Sequence, residues 1–460
     1  MVSWLMPFAI LPKTYTFFFF DLFSQIAVVV FGLFILVKLY LQPARLEDVL
    51  PKTTTLRIWG VFIVAQLILM TYQSFAVGST TRIYGLLHGL MMFIQVILSI
   101  WIAYTVQKML ILSYADAVKF MKSVIITVAV YLGLIVLPQI LYLFGMTSLS
   151  HWVNPIAHLF ERHWANRDFY DNGSYVATSM RVNGFEPEAA YLALLVGIAF
   201  SPFLLMLIQE PLKAFKNRWI YWTALILGAA SLGVLLLAKT TTGFLLIGIL
   251  ALVYWLAAPK KQKISLFFLG IIALLGVAVA YVAVPSIRSL LNTWIFQKGG
   301  TDNRLGGTIA LIKTWLQHPL FGVGYGYEGQ YIVDNLPEWS KNNFEYMQVY
   351  RKQAYPILND LFGWLARYGL VFCLTFAWLL FSLIKRSLVI LKEIAGQFDE
   401  RSMFYRISIK AFYMTVVVVV VVSAVTPSNV MSWPILLMLF FYWRVVHIAE
   451  NDVFAKESEE

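Results

Sequence analysis

The chain is 460 residues long, 60% hydrophobic and only 13% charged, with a mean hydropathy of +0.74; an average soluble chain runs at about 45–50% and about 25%, which excludes a soluble protein. The formal net charge is +11, but the basic residues punctuate apolar runs and build no single patch, so membrane topology accounts for them and a nucleic-acid partner does not. The one cysteine, Cys373, excludes an intrachain disulfide and any cysteine-built metal centre.

In chain order, apolar stretches long enough to cross about 30 Å of hydrocarbon lie near 15–41, 58–76, 84–106, 119–145, 188–208, 219–238, 242–258, 264–285, 360–384, 411–425 and 430–448. They predict an all-α polytopic bundle that forms one membrane domain over 1–460. Residues 1–20, where Pro7, Pro12 and Lys13 interrupt an apolar run, offer a short or re-entrant twelfth segment, which would put the N-terminus inside. No basic n-region precedes that run and no small-residue cleavage site follows it, so no cleavable signal peptide is expected. Seven valines at 416–422 read as lipid or helix packing, and the terminal ESEE as a solvated end.

With loops assigned alternately, 42–57, 107–122, 209–218, 259–263, 385–410 and the C-terminal end from Arg444 hold 20 of the 35 Lys and Arg, against 13 on the opposite side. Ten of those 13 sit in two long loops, whose charges weigh little in setting orientation. The first set is therefore expected in the cytoplasm, and the long loops 147–187 and 286–359 outside. A long loop can be a disordered insertion. These two instead hold Trp, Tyr, Phe and Arg, and the second carries an amphipathic helix, LGGTIALIKTWLQ. Chemistry is expected there.

Three segments stand out. RVNGFEPEAAYLALLV at 181–196 sets Pro187 in a first helical turn and Glu186 and Glu188 at a positive helix end; read alone it is a well-capped membrane helix. LLLAKTTTGFLLIGIL at 235–250 joins two apolar helices through a polar hairpin with one cation, Lys239. The third runs from NRLGGTIALIKTWLQHPLFGVGYG at 303–326 to PILNDLFGWLARYGL at 356–370. Its Gly322, Gly324 and Gly326 lack the strand-helix-strand setting of a dinucleotide site and read as a tight turn that admits close backbone approach. Asp360, Trp364 and Arg367 fall at i, i+4 and i+7 on one face. Arg367 would lie about 10 Å below its helix start, either as a functional intramembrane charge or in a structural pair, for example with Asp360. His158, Glu161 and His163 in HLFERH match no zincin spacing, and neither long loop has an Asp-x-Asp pair, so no metal is expected.

Together, in order and spacing over roughly 180–384, these segments resemble the O-antigen polymerase and O-antigen ligase family of bacterial membrane glycosyltransferases. The pattern is carried by Arg181, Gly184, Glu186 and Pro187, by Lys239, Thr240 and Gly243, and by Arg304, Trp315, Pro319, Gly322 and Gly324. Asn359 and Gly369 hold their places, but Leu358 stands where the family commonly has His, on which the ligase branch is thought to depend. The resemblance implies a multi-pass enzyme of the inner membrane that moves a glycan from undecaprenyl diphosphate to an acceptor hydroxyl at the extracytoplasmic face, without a cofactor. Donor and acceptor lipid-linked glycans and the bilayer are the implied partners, with a chain-length regulator and a flippase beside them.

Such chemistry needs fixed cations where the departing diphosphate gains charge, and arginine forks suit phosphate oxygens. Arg181 and Arg304 are the first candidates, with Arg288, Arg351 and Lys239 secondary and Asn359 and Arg367 lining the site. Each could instead be a solvated loop charge or a headgroup contact. The general base should be Glu186 or Asp360, with Glu186 preferred, although the helix N-terminus would favour its ionised form and weaken it. Polymerisation of repeat units is the leading function. Ligation of a finished glycan to lipid A core or another acceptor is the alternative, and a transporter or lipid-linked-sugar flippase the competitor from another class, disfavoured because no internal repeat is visible.

Overall fold

The computed structural model describes residues 2–14, 25–41, 49–77, 85–163, 169–293, 301–343, 345–351 and 355–454, with backbone alone at 301–302. The first part of the 15–41 run therefore lies outside the described residues. Helices dominate, with no strand among the described residues and a lone bridge between Thr14 and Gln25. The N-terminal stretch forms a short helix, α1 (Leu5–Ala9), with Leu5 and Met6 buried, and is followed by α2 (Ile26–Leu41). Five residues rise only about 7 Å, so α1 spans nothing; it is wedged into the bundle, where Ser3 C=O accepts from Ser123 Oγ at 2.5 Å.

The long helices follow the hydropathy. They are α3 (Thr53–Ala76), α4 (Leu86–Leu110) and α5 (Tyr114–Leu143). Short α6 (Ser150–Phe160) and α7 (Tyr175–Ser179) lead to α8 (Ala189–Gln209), α9 (Arg218–Leu237), α10 (Thr241–Ala257) and α11 (Lys260–Ala283). Next come α12 (Pro285–Leu291), α13 (Thr301–Gln317), α14 (Glu328–Asn335) and α15 (Glu338–Lys341). The last three are α16 (Asp360–Glu393), α17 (Glu400–Ser423) and α18 (Trp433–Phe454). Nine of these helices are long and apolar enough to cross a membrane, and α2 and α10 are shorter apolar ones. The protein is a multi-pass membrane helix bundle.

Helix ends depart from the apolar runs where capping or tertiary contacts extend them. Helix α5 begins early because Ser113 and Asp116 form a reciprocal capping box. Asp399 caps α17 by accepting from Ser402 N at 3.0 Å, which moves polar residues 400–410 from the expected loop into the helix. Helices α5 and α8 both widen to a π turn just before a proline, at Leu132–Val136 before Pro138 and at Leu195–Phe200 before Pro202. A proline ring in a regular helix clashes with the carbonyl four residues back and leaves it without a donor. In α8 the Ser201 hydroxyl also donates to Val196 C=O at 2.9 Å.

Helix α8 is the centre of the molecule, mostly buried and packed by α9, α10 and α17. Helix α11 is the opposite extreme: none of its residues is buried and it packs mainly on α10 and α12, so its apolar surface is a lipid-facing one. The second long loop folds on its own small core, in which Ala310, Leu311, Ile332, Val333 and Tyr355 pack with Ala366 of α16. It is no decorative insertion.

Candidate active site

The segment between α7 and α8 is held from beneath by two polar side chains of α5. Gln139 Oε1 accepts from Gly184 N at 2.8 Å and from Asn183 N at 3.2 Å, while its Nε2 donates to Gly184 C=O at 3.0 Å. The Tyr131 hydroxyl accepts from Phe185 N at 3.0 Å. Gly184 has φ +61°, and a Cβ there would lie 2.1 Å from that hydroxyl, so only glycine allows the approach. These bonds curl residues 183–186 into a buried turn, and α8 starts at Ala189 behind Glu188. Pro187 therefore precedes the helix and is not in its first turn, as the bare sequence suggested; the turn consumes the residues that would have extended α8.

Glu186 is almost wholly buried. Burial pushes its carboxyl up to about 7, against the pull of the Arg162 charge. Desolvation thus outweighs the helix end that was expected to weaken it as a base. The carboxyl faces no hydrogen-bond donor among the described residues; its turn is fixed instead through the backbone, Asn183 Nδ2 donating to Glu186 C=O at 2.6 Å.

The hairpin between α9 and α10 joins this turn. Arg181 Nε donates to Ala238 C=O at 3.3 Å, which places Arg181 beside Lys239. Lys239 itself adopts φ +50°, a strained backbone for a non-glycine residue, and Thr240 caps α10 by accepting from Gly243 N at 2.8 Å. Two of the three sequence motifs thus meet in space.

The third motif arrives through a segment that sequence reasoning missed, 424–429 between α17 and α18. Arg304 Nη1 donates to Thr426 Oγ1 at 2.7 Å. Asn359 Nδ2 donates to Ala424 C=O at 2.8 Å, and Asp360 Oδ2 accepts from both Ser428 N and Ser428 Oγ at 2.6 Å. Three candidate residues, Arg304, Asn359 and Asp360, converge on this one turn. The charges of Asp360, Glu186, Glu188 and Arg162 all act on the Tyr191 hydroxyl of α8, and those of Arg181 and Glu188 act on Tyr175. A polar path joined by charges acting across space therefore runs from Arg181 by way of Tyr175, Glu188, Tyr191 and Asp360 to the turn that holds Arg304. Both long loops, the hairpin and the 424–429 turn share one end of the bundle.

Arg367 forms a structural pair, but not with Asp360. Its guanidinium pairs with Glu328 of α14 and lies 4.3 Å from the Tyr325 ring centroid. Asp360 is committed to Ser428, so the pair across two turns does not form. The reason is a break in α16 at Gly369 (φ +71°, ψ 173°) that lets the Pro319–Gly324 turn dock there. Val323 N and Gly324 N donate to the carbonyls of Ala366 and Arg367 at 2.9 and 3.0 Å, and Leu370 N and Val371 N donate to those of Pro319 and Leu320 at 2.8 and 3.1 Å. These four bonds across the break stand in for helix hydrogen bonds, as interrupting a helix away from water requires. Glu328→Gln should leave the buried guanidinium without its counter-charge and cost about 3–5 kcal/mol, read as a lowered Tm of the purified protein; an unchanged Tm would make the pair dispensable.

Arg288 caps the end of α11, with Nε on Tyr281 C=O at 3.0 Å and Nη2 on Val282 C=O, and so faces the helix end instead of the polar path. Arg351 is exposed beyond a π turn at Tyr346–Tyr350. In HLFERH, Glu161 turns inward to accept from Tyr175 N at 3.3 Å while His163 stacks on Tyr170 at 3.8 Å, so the three side chains do not converge; no group of three His, Cys, Asp or Glu suited to a metal occurs among the described residues.

No family model and no curated protein matches the chain. The functional reading therefore stands on this geometry and on the motif resemblance.

Proposed function

We propose that the chain is a membrane glycosyltransferase that polymerises undecaprenyl-diphosphate-linked repeat units into a surface polysaccharide at the extracytoplasmic face of the bacterial inner membrane. The observation that carries this reading is the gathering of Arg181, Lys239 and Arg304, from three distant segments, at the bundle end that also holds the near-neutral Glu186 carboxyl. In the reaction an acceptor hydroxyl oxygen bonds to the anomeric carbon of the donor glycan. The bond from that carbon to the diphosphate oxygen breaks, and the lipid diphosphate departs with the electron pair. The hydroxyl proton passes to Glu186.

Each role follows from chemistry. A base with a pKa near the working pH combines a useful ionised fraction with real proton affinity. Arginine forks stabilise the diphosphate as its charge grows, and a guanidinium with five N–H donors can hold Thr426 and still present a fork. Asp360 has one oxygen fully used by Ser428 and acts as the anchor of the Arg304 turn. Orientation is supported by the basic loops at the other end of the bundle, where Arg406 and Lys410 pair with Glu210, and Lys216 with Glu400. Leu358, where the resembling family has His, favours polymerisation over ligation.

The test is purified protein in proteoliposomes supplied with lipid-linked repeat units. The wild type should extend the glycan and release undecaprenyl diphosphate. Arg304→Lys, which replaces a fork by a point charge, should slow transfer by about 10- to 100-fold through loss of a charge-assisted hydrogen bond. An unchanged rate would remove Arg304 from the diphosphate site.

A further inference from the structure

The turn that carries Glu186 has the spacing of a helix cap that it does not make. In Asn183-Gly184-Phe185-Glu186 a favoured capping residue precedes a glutamate by three positions, the reciprocal arrangement in which the acid reaches back to the first N–H. The protein makes that bond elsewhere: Asp116 Oδ2 accepts from Ser113 N at 3.1 Å at the start of α5. At Asn183 the N–H is already taken. Gln139 Oε1 holds it at 3.2 Å together with Gly184 N at 2.8 Å, and the Tyr131 hydroxyl holds Phe185 N at 3.0 Å. Glu186 N donates to Asn183 C=O at 3.0 Å. All four N–H groups of the turn are therefore spent before the Glu186 carboxyl can claim one.

Two side chains of one helix reach this turn because α5 is not regular. Tyr131 and Gln139 lie eight residues apart, which in an unbroken α-helix sets them about 80° apart around the axis. The π turn at Leu132–Val136 takes up one extra residue and brings that angle to about 20°. Both side chains are almost wholly buried, and Gln139 Nε2 also donates to Gly184 C=O at 3.0 Å, so the amide is used at both ends.

We propose that Gln139, aided by Tyr131, is a positioning residue: from α5 it takes the N–H groups on which Glu186 would cap its own turn, and so leaves that carboxyl open to substrate. This rests on the proposed role of Glu186. The consequence for charge has a definite sign. A carboxylate that accepts backbone N–H groups is held low; denied them, this one is carried up to about 7 by burial, with the Arg162 charge pulling the other way. The other ionisable groups that act with it are Tyr131 of α5 and Tyr191 of α8, which in turn feel Glu161, Glu188 and Asp360. Without Gln139 the Asn183 N–H returns to Glu186, the ionised form gains a partner, and the carboxyl titrates at lower pH.

Gln139→Met keeps the length of the side chain and removes the acceptor. Infrared spectra of the purified full-length protein follow un-ionised Glu186 through the acid C=O stretch that Glu186→Gln abolishes. Its midpoint should lie near 7 in the wild type and about one unit lower or more in Gln139→Met. A wild-type midpoint in the ordinary carboxylate range, or the same midpoint in both, would overturn the proposal. Hydrogen exchange above both midpoints separates this hold from a turn that is merely loosened. Glu186→Ala alone should leave the amides of 183–185 as protected as in the wild type. The same change made in Gln139→Met should speed their exchange by about tenfold or more, the worth of a charge-assisted hydrogen bond. Protection lost in Glu186→Ala alone would overturn the proposal even if Gln139→Met does not fold, and so would exchange in Gln139→Met that is indifferent to Glu186. With transfer as the readout, the acid limb of kcat/KM should move down with the infrared midpoint. A midpoint that moves while the limb stays supports the hold and removes Glu186 as the base, so the two readings fail separately.

Discussion

Glu186→Gln is expected to lower turnover by about 10²- to 10⁴-fold with KM little changed, the usual worth of a positioned general base. The substitution keeps the shape of the side chain and cannot accept a proton. The bonds that hold the turn, Asn183 Nδ2 to Glu186 C=O and Arg162 N to Phe185 C=O, are made to main-chain oxygens and are untouched. The pH dependence is part of the same expectation. The ionised form is the active one, so kcat/KM should rise with pH on an acid limb centred near 7, where burial has placed this carboxyl. Asp360→Asn should act differently, by loosening Ser428 and the turn that holds Arg304, with no shift of the acid limb. Near-normal turnover in Glu186→Gln, combined with abolition in Asp360→Asn, would reverse the two roles.

Gly369→Ala should be the most damaging change outside the polar path. The residue combines φ +71° with ψ 173°, a region open in practice only to glycine, and a Cβ there would lie 2.3 Å from Leu320 C=O. Backbone strain of about 1–3 kcal/mol adds to a steric term of similar size, also about 1–3 kcal/mol. Since the opposing atoms are backbone, no rotamer change relieves the clash. The Pro319–Gly324 turn would have to withdraw, which frees the carbonyls of Ala366 and Arg367 and separates Arg367 from Glu328. Loss of folded protein, measured as yield of monodisperse material and Tm in detergent, is the expected result. Wild-type behaviour of Gly369→Ala would mean that the break is not needed to dock the second loop.

The helices were legible because hydropathy over twenty residues is a strong physical constraint, and capping moved only their ends, as Ser113 and Asp399 did. The glycine turn was legible as a close approach, since three glycines in six residues suit little else. What it approached was not. The partner is the backbone of α16 opened at Gly369, and no periodicity in the sequence announces such a break. Arg367 was flagged as a charge at membrane depth, but its partner Glu328 is 39 residues away and lies on a helix of the second loop.

The candidate site was legible by residue type more than by arrangement. Arg181, Lys239 and Arg304 carried the motifs, whereas the turn at 424–429 that receives Arg304, Asn359 and Asp360 is a short Thr-Pro-Ser-Asn link of ordinary loop composition. Counting spans would have helped, since an even number of crossings returns this link to the same bundle end. Gln139 was the clearer missed signal. A glutamine inside an apolar run must find partners, and it holds the backbone of Asn183 and Gly184. Glu161 was considered only as a metal ligand because its neighbours in HLFERH are histidines, and nothing in the sequence tells that its side chain turns inward to Tyr175.

The central claim, polymerisation of lipid-linked repeat units, is tested most directly by mass spectrometry of the undecaprenyl-linked glycans that accumulate when the gene for this chain is deleted. The account predicts single repeat units on the carrier, with chain growth restored by the wild-type gene and not by one encoding Glu186→Gln. Long glycan chains on the carrier, finished but never transferred, would contradict it and mark the protein as a ligase; an unaltered population of lipid-linked glycans would remove it from glycan transfer altogether.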